Sequence, residues 1–242
     1  MLITSKDNSR VKEIRKLMNK KYSNEMGLFV IDGENLIEEA IKNNCLVELY
    51  ALEGSSVRFD FEYNTFSEEV MKSLTDMKSL PRLIGIASYS KNKDLGKRIV
   101  LLDEIQDPGN AGTIIRNAVA FGVDSVVFSK NSVSPYNEKV LRSTGGMIFN
   151  INIIIDDLDN VIDKLKEEDT ILIGTSLNTD TYLENFEKID KFAIIFGNEG
   201  NGVRESLLNR CDKLIKIRMD DKCESLNVGV STGIVLYHLY GE

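Results

Sequence analysis

Three apolar runs in this chain each stop at a loop of small polar residues, and that pattern restricts the fold more than any other feature. Residues 101–123 read LLDEIQDPGNAGTIIRNAVAFGV, residues 192–203 read FAIIFGNEGNGV, and residues 215–239 read IKIRMDDKCESLNVGVSTGIVLYHL. Strands built from near-continuous Val, Ile and Leu suit a parallel sheet covered by helices on both faces. The first and third runs continue into amphipathic helices. Sheets of this kind bind ligands at the carboxyl ends of their strands. Three such edges in one chain predict a single composite site.

The same alternation organises the rest. Val11, Ile14, Leu17 and Met18 predict a helix over residues 9–21, with cations on its other faces. Strands are predicted at 28–31, 46–52 and 83–87, with helices from Gly33 and over 67–74, the latter opened by Ser67. This forms an α/β unit over residues 1–88. The polar, aperiodic stretch that follows is the expected linker, 89–97. The remainder, 98–242, alternates strands at 99–103, 125–129, 152–155, 170–175, 192–196 and 213–217 with helices at 111–121, 137–143, 158–166 and 228–240.

Composition excludes several classes. The apolar fraction of 42% rules out a disordered chain. No apolar run approaches the roughly 20 residues that span a bilayer, and no apolar segment follows the basic N-terminal residues as a signal peptide requires. Cys45, Cys211 and Cys223, with a single His, fit neither a disulfide framework nor a zinc site. No metal and no membrane are expected, and a reducing cytoplasm is the expected setting. The net charge of −8 argues at first against a nucleic-acid partner. Its distribution is uneven, however: residues 1–22 carry seven cations, among them Lys6, Arg10, Lys12 and Arg15, against Asp7 and Glu13. An acidic protein with a basic N-terminal helix can still hold phosphates locally; the other reading of such a run is a solvated helix face.

Asn110, Gly112 and Arg116 form N-x-G-x-x-x-R; Gly197, Glu199 and Gly200 form G-x-E-G; Ile217, Met219, Ser225, Leu226 and Asn227 form I-x-M followed by S-L-N. In this order and spacing they resemble the three signature motifs of the SpoU/TrmH family, RNA ribose 2′-O-methyltransferases of the knotted SPOUT class. The resemblance covers the chain from about residue 99 onward. The opening TSKDNSRVKEIRKL resembles the small α/β RNA-binding domain, itself like a ribosomal protein, that many members carry in front. The resemblance implies a C-terminal α/β parallel-sheet domain tied in a deep trefoil knot, although chains as a rule avoid knots. It implies S-adenosylmethionine as cofactor, RNA as partner with ribosomal RNA ahead of transfer RNA, and a homodimer through the C-terminal domain.

Ribose methylation requires a held methyl donor, a 2′-hydroxyl that loses its proton, and close orientation of both. Orientation alone supplies about 7–11 kcal/mol. The resemblance gives the catalytic set as Asn110, Arg116, Glu199, Ser225 and Asn227. By spacing alone Arg116 reads as a surface ion-pair residue. In the family its counterpart activates the 2′-hydroxyl, and a guanidinium suits that as an electrostatic partner of phosphate and developing alkoxide. Asn110 could orient Arg116 or the ribose, or cap the helix. Glu199 could accept hydrogen bonds from Arg116 or from Asn227 and hold the constellation together, or be an acidic turn residue. Ser225 reads also as a cap of the last helix. The cofactor would lie on Gly197, Gly200, Ile217, Met219 and Leu226, with Thr175 against the adenosine; the plain reading of Ile217 and Met219 is core packing. Arg142, Ser143 and Gly145 resemble the family's R-x-S-x-G, which makes Arg142 a candidate phosphate contact beside the N-terminal cations. A non-catalytic RNA- or ribosome-binding protein has no use for a cofactor loop. A dinucleotide oxidoreductase would need G-x-G-x-x-G, whereas Gly197, Gly200 and Gly202 are spaced in reverse.

Overall fold

The computed structural model describes residues 1–75, 79–89 and 94–240. In chain order its elements are β1 (Leu2–Ile3), α1 (Ser9–Leu17), α2 (Lys20–Met26), β2 (Leu28–Asp32), α3 (Glu34–Lys42), β3 (Leu46–Leu52), β4 (Tyr63–Phe66), α4 (Glu68–Lys72), β5 (Leu83–Ser88), β6 (Arg98–Asp103) and α5 (Pro108–Ala120). There follow β7 (Ser125–Ser129), α6 (Glu138–Thr144), β8 (Asn152–Asp156), α7 (Leu158–Glu167), β9 (Ile171–Thr175), β10 (Phe192–Gly197), α8 (Glu205–Leu208), β11 (Lys213–Ile215) and α9 (Val228–Tyr240), with 3-10 turns at Met147–Asn150 and Leu183–Asn185. Among the described residues no helix is long and apolar enough to cross a membrane. Contacts divide the chain into two units, Met1–Lys91 with Tyr136–Asn150 and Asn92–Pro135 with Ile151–Glu242.

The first unit has a five-stranded sheet in the order β1-β4-β3-β5-β2. It is mixed: β5 runs antiparallel to β2 and β3, and β4 runs parallel to β1 and β3. Val11, Ile14 and Leu17 of α1 are buried with Tyr50, Phe66 and Ile84 of the sheet, as their helical spacing requires. The single helix expected over 9–21 is two. The Asn19 side chain accepts a hydrogen bond from Lys21 N at 2.9 Å and caps α2, so the first helix ends before it. Strands β1 and β4 escaped the sequence reading because a two-residue strand has no period and YNTF is mostly polar.

The stretch Tyr136–Asn150, which alternation puts within 98–242, packs in this first unit. The Phe29 ring lies 4.7 Å from Tyr136, and Tyr136 stacks on Tyr89 at 3.8 Å. Asn150 Nδ2 donates to Glu39 at 2.9 Å. Gly145 and Gly146, at φ 59° and 94°, turn the chain after α6 in a conformation that L side chains avoid. Of the expected linker 89–97, residues 90–93 lie outside the described residues.

The second unit has a six-stranded sheet in the order β11-β9-β10-β6-β7-β8, every pairing parallel. Its apolar strands are covered on both faces, as the sequence predicts. On one face Leu158, Val161, Ile162 and Leu165 of α7, with Leu207 of α8, bury Leu101, Leu172 and Ile195. On the other face α5 packs against α9. Gly229 and Gly233 permit the close approach: a Cβ on Gly229 would sit 3.0 Å from Thr113 Cγ2, and one on Gly233 3.1 Å from Asn117 Nδ2. Asn117 Nδ2 donates to the Gly229 carbonyl at 2.8 Å. Strand β10 lies between β9 and β6, so the loops that follow β6, β9 and β10 open at one edge of the sheet.

Candidate active site

The loops after β6 and β10 are joined by a carboxylate. Glu199 Oε1 accepts from Asp107 N at 3.1 Å and from Asn110 Nδ2 at 3.0 Å, and Oε2 accepts from Gln106 N at 3.3 Å. Asn110 Oδ1 in turn accepts from Asn227 Nδ2 at 2.8 Å. Asn227 Oδ1 accepts from Gly229 N at 2.9 Å and Val230 N at 3.2 Å, which caps α9. One continuous chain of hydrogen bonds therefore joins a residue from each of the three motifs. Burial alone would push the Glu199 carboxyl up, but the bonds from Asn110 and from backbone N–H groups outweigh it and hold it below the usual carboxylate range. Glu199 is an anion that fixes geometry, with Oε1 accepting two of these bonds and Oε2 one.

Two alternatives raised by the sequence are corrected here. Asn110 is not the helix cap. Helix α5 starts at Pro108, and Asp107 caps it by accepting from Asn110 N at 2.8 Å, with Pro favoured at the next position. That frees the Asn110 side chain for Glu199 and Asn227. Nor does Ser225 cap α9, since Asn227 does; Ser225 is exposed and lines the cavity described next.

A cavity of about 520 Å³ opens beside this chain, within the range of small-molecule sites. Thr175, Gly197, Gly200, Ile217, Met219 and Leu226 all line it, and so do Glu199, Ser225 and Asn227. Strand β11 ends at Ile215, so Ile217 and Met219 stand in the following loop, where their backbone is free for a ligand. The Thr175 hydroxyl donates to the Ile195 carbonyl at 2.8 Å and holds the ends of β9 and β10 together. A Cβ on Gly197 would lie 2.0 Å from Gly202 C and 2.1 Å from Val203 N, so no larger residue fits under this loop. Main chain, apolar side chains and uncharged amides and hydroxyls, with only Glu199 and Lys216 charged, fit an adenosine-bearing cofactor.

Arg116 stands apart. It is exposed on α5 and, among the described residues, makes no hydrogen bond or ion pair, so the surface carboxylate partner allowed by spacing alone is not there. It follows Asn110 by six residues, which at about 100° per residue turns it some 120° around the helix from Asn110.

The N-terminal cations are mostly engaged. Lys6 pairs with Glu69 and Lys12 with Asp7, each at 2.9 Å, and Arg15 Nη2 donates to Ser73 at 3.1 Å. Arg10 bonds Glu13, Glu48 and Tyr50; burial pulls its pKa down, but these bonds outweigh it and leave the value raised. Arg142 pairs with Glu138 and lies 3.5 Å from Asp32, a carboxylate only 8% exposed, so it fastens α6 within the first unit. Among the described residues Lys16, Lys20 and Lys21 are exposed and have no ion-pair partner.

Sequence reasoning passed over Asp103, Gln106, Asp107 and Arg204. Asp103, at the end of β6 and 1% exposed, accepts from Arg204 N at 2.9 Å and Arg204 Nε at 2.8 Å. A charged residue closing an apolar strand was the available signal, because buried carboxylates are paired.

Residues 97–237 match the SpoU rRNA Methylase family, and residues 8–84 match the MRM3-like substrate binding domain. The chain belongs to the SpoU rRNA methylase family. It is similar to the 23S rRNA (guanosine(2553)-2′-O)-methyltransferase RlmP of Bacillus subtilis (strain 168), 34% identical over 99% of each chain. It is also similar to the 23S rRNA (guanosine-2′-O-)-methyltransferase RlmB of Coxiella burnetii, 32% identical over 74% of this chain and 73% of the relative. Among solved structures, the AdoMet-bound rRNA methyltransferase of Sinorhizobium meliloti superposes with a TM-score of 0.84 and 26% identity, covering 99% of this chain and 97% of that one. The α/β fold with its C-terminal parallel sheet is thus the SpoU fold.

Proposed function

We propose that this protein transfers a methyl group from S-adenosylmethionine to a ribose 2′-hydroxyl of ribosomal RNA. The observation that carries the reading is the hydrogen-bonded chain Asn227–Asn110–Glu199 at the rim of the cavity, since it joins all three motifs where cofactor and acceptor must meet. The full-length similarity to the Bacillus subtilis enzyme supports 23S rRNA as the substrate.

Bound in the cavity, S-adenosylmethionine supplies an activated methyl group. Gly197, Gly200, Ile217 and Leu226 would hold its adenosine by main chain and apolar contact, with Thr175 at the strand edge. Asn110 and Asn227, each locked by its neighbours, orient the ribose. Arg116, uncommitted to any carboxylate, offers a planar fork to phosphate and stabilises the charge developing on the 2′-oxygen as the hydroxyl proton passes to the adjacent RNA phosphate or to water. No metal or covalent intermediate is needed.

A homodimer and a C-terminal knot belong to the same proposal. Val230, Ile234, Tyr237 and Tyr240 are exposed along α9, Tyr237 to 71%, and this apolar stripe supports a two-fold mate. The mate would complete the site around Arg116, which faces away from Asn110. The return of the chain from β11 at the sheet edge to Asn110 supports the knot. For the N-terminal unit, the similarity to a substrate-binding domain and the exposed Lys16, Lys20 and Lys21, which have no ion-pair partner among the described residues, support an RNA grip on α1 and α2 rather than on Arg10 or Arg142. A cytoplasmic setting suits both a ribosomal substrate and the free thiols Cys45, Cys211 and Cys223.

The test is methyl transfer from labelled S-adenosylmethionine to unmodified 23S rRNA transcript, with mapping of alkali-resistant ribose. Label at a 2′-oxygen supports the reading; label on a base, or none with cofactor bound, overturns it.

A further inference from the structure

Glu104 follows β6 and takes φ +58°, a left-handed backbone that costs a non-glycine residue about 1 kcal/mol or more. Its polar groups are all held. Glu104 N donates to Ser129 Oγ at 2.9 Å, and its carboxylate accepts from Asn131 Nδ2 at 3.0 Å. Its carbonyl accepts from Gln106 Nε2 at 3.0 Å and from Asn198 Nδ2 at 2.9 Å. The turn pinned in this way presents the N–H groups of Gln106 and Asp107 to Glu199.

Asn198 also organises its own loop. Its Oδ1 accepts from Gly200 N at 2.9 Å and Asn201 N at 3.2 Å, and its backbone pairs with Gly202 in both directions at 3.0 and 2.9 Å. Residues 198–202 form one wall of the cavity. Two adjacent side chains thus grip opposite polarities of one turn: Asn198 takes its carbonyl and Glu199 takes its amides.

We infer that Asn198 is a positioning residue for the proposed methyl transfer, acting through Glu199 and the cavity wall. The inference rests on the cofactor reading of that cavity. Nδ2 sets the distance between the β10 loop and the α5 turn, while Oδ1 sets the loop's internal shape. Both are needed for Glu199 to reach Asn110 while Gly197–Gly202 keep the cavity open.

Asn198→Asp separates the two functions. The new carboxylate keeps the acceptor for Gly200 and Asn201 but turns a second oxygen against the Glu104 carbonyl. Once protonated, that oxygen donates to the carbonyl again. Calorimetry of the full chain with S-adenosylmethionine should therefore show Asn198→Asp binding about 10- to 100-fold more weakly than the parent at pH 8, because an ionised oxygen then faces a carbonyl that keeps only its bond from Gln106 Nε2. The defect should shrink between pH 8 and pH 5.5 with a one-proton dependence, as protonation lets that oxygen donate to the Glu104 carbonyl. Asn198→Ser cannot reach Glu104 and should be weakened equally at both pH values. It carries the test alone should the Asp variant fail to fold. Single-turnover methyl transfer to 23S rRNA transcript should follow the same pH pattern. If the parent binds cofactor while both variants match it at both pH values, Asn198 has no positioning role. If the parent itself binds no cofactor, the reading of the cavity fails first.

Discussion

Gly197→Ala is the substitution whose effect the geometry determines most fully. Gly197 ends β10, in register with Asp103 of β6, and the loop 198–202 folds straight back over it. An added Cβ would lie 2.0 Å from Gly202 C, 2.1 Å from Val203 N and 2.3 Å from Gly202 O, all backbone atoms that no side-chain rotation can move away. Ordinary contact begins at 3.4 Å, so the returning strand must retreat by about 1.4 Å. That retreat strains or breaks both Asn198–Gly202 hydrogen bonds and drags Val203, which is buried in the core, with Arg204 behind it. Overpacking costs about 1–3 kcal/mol and each lost hydrogen bond about 1 kcal/mol, so stability should fall by about 3–5 kcal/mol. The loop cannot then hold the cavity wall, and S-adenosylmethionine should bind at least about 30-fold more weakly, equivalent to some 2 kcal/mol. Gly200→Ala is the control. Its Cβ meets only Asn198 Oδ1, at 3.5 Å, so stability should stay within about 1 kcal/mol of the parent. Urea unfolding and calorimetry on the three proteins decide the matter. A Gly197→Ala protein as stable as the parent, with cofactor affinity within 3-fold by the same calorimetry, would refute the close-approach argument.

Arg116→Ala should lower single-turnover methyl transfer by about 10²–10³ while leaving cofactor affinity and stability nearly unchanged, and Arg116→Lys should restore little; a rate within a few-fold of the parent returns Arg116 to the ordinary surface. Glu199→Gln should destabilise the protein at neutral pH by about 1–3 kcal/mol, because an amide N–H2 would face the Gln106 or Asp107 N–H. The folded Glu199 pKa is depressed, so its contribution is present above the ordinary value of 4.5 and is lost as pH falls through the folded value. The stability gap between parent and variant in pH-jump unfolding should therefore narrow below about pH 4.5, and a constant gap contradicts the ionic role. The proposed dimer predicts that Ile234→Asp with Tyr237→Asp sediments at half the parent mass, as charge on the α9 stripe blocks apolar contact; a parent that sediments as a monomer at micromolar concentration removes the dimer.

The second unit was the more legible half. Its strands are apolar almost throughout and α7 keeps a clear 3.6-residue period, so the strands and their parallel pairing followed from pattern, whereas the four-residue α8 was missed and α9 is apolar around most of its circumference. The first unit was harder because β1 is two residues long and β4 is polar, and because Asn19 divides a helix whose apolar spacing reads as continuous. The site was legible as residues but not as bonds. Resemblance supplied Asn110, Glu199 and Asn227, yet only the structure joins them, since the partners lie roughly ninety to one hundred and twenty positions apart. Asp107 followed by Pro108 is itself a helix-start signal, but it was passed over as the cap because the motif residue Asn110 offered a cap one turn later. Arg142 shows what a linear reading leaves out. A basic residue in a family-like segment reads as an RNA contact, while the buried carboxylate of Asp32 that engages it lies more than a hundred residues upstream.

The most direct test of the central claim is single-turnover transfer of a labelled methyl group from S-adenosylmethionine to unmodified 23S rRNA, with nucleotide-level mapping and with Asn110→Ala, Glu199→Gln and Asn227→Ala assayed beside the parent. The expected result is one alkali-resistant 2′-O-methyl ribose, lost or slowed by at least about 10²-fold in each variant while the RNA still binds. Contradiction would come from a methylated base, or from ribose methylation at parental rate in all three variants, since either places the chemistry away from the Asn227–Asn110–Glu199 chain.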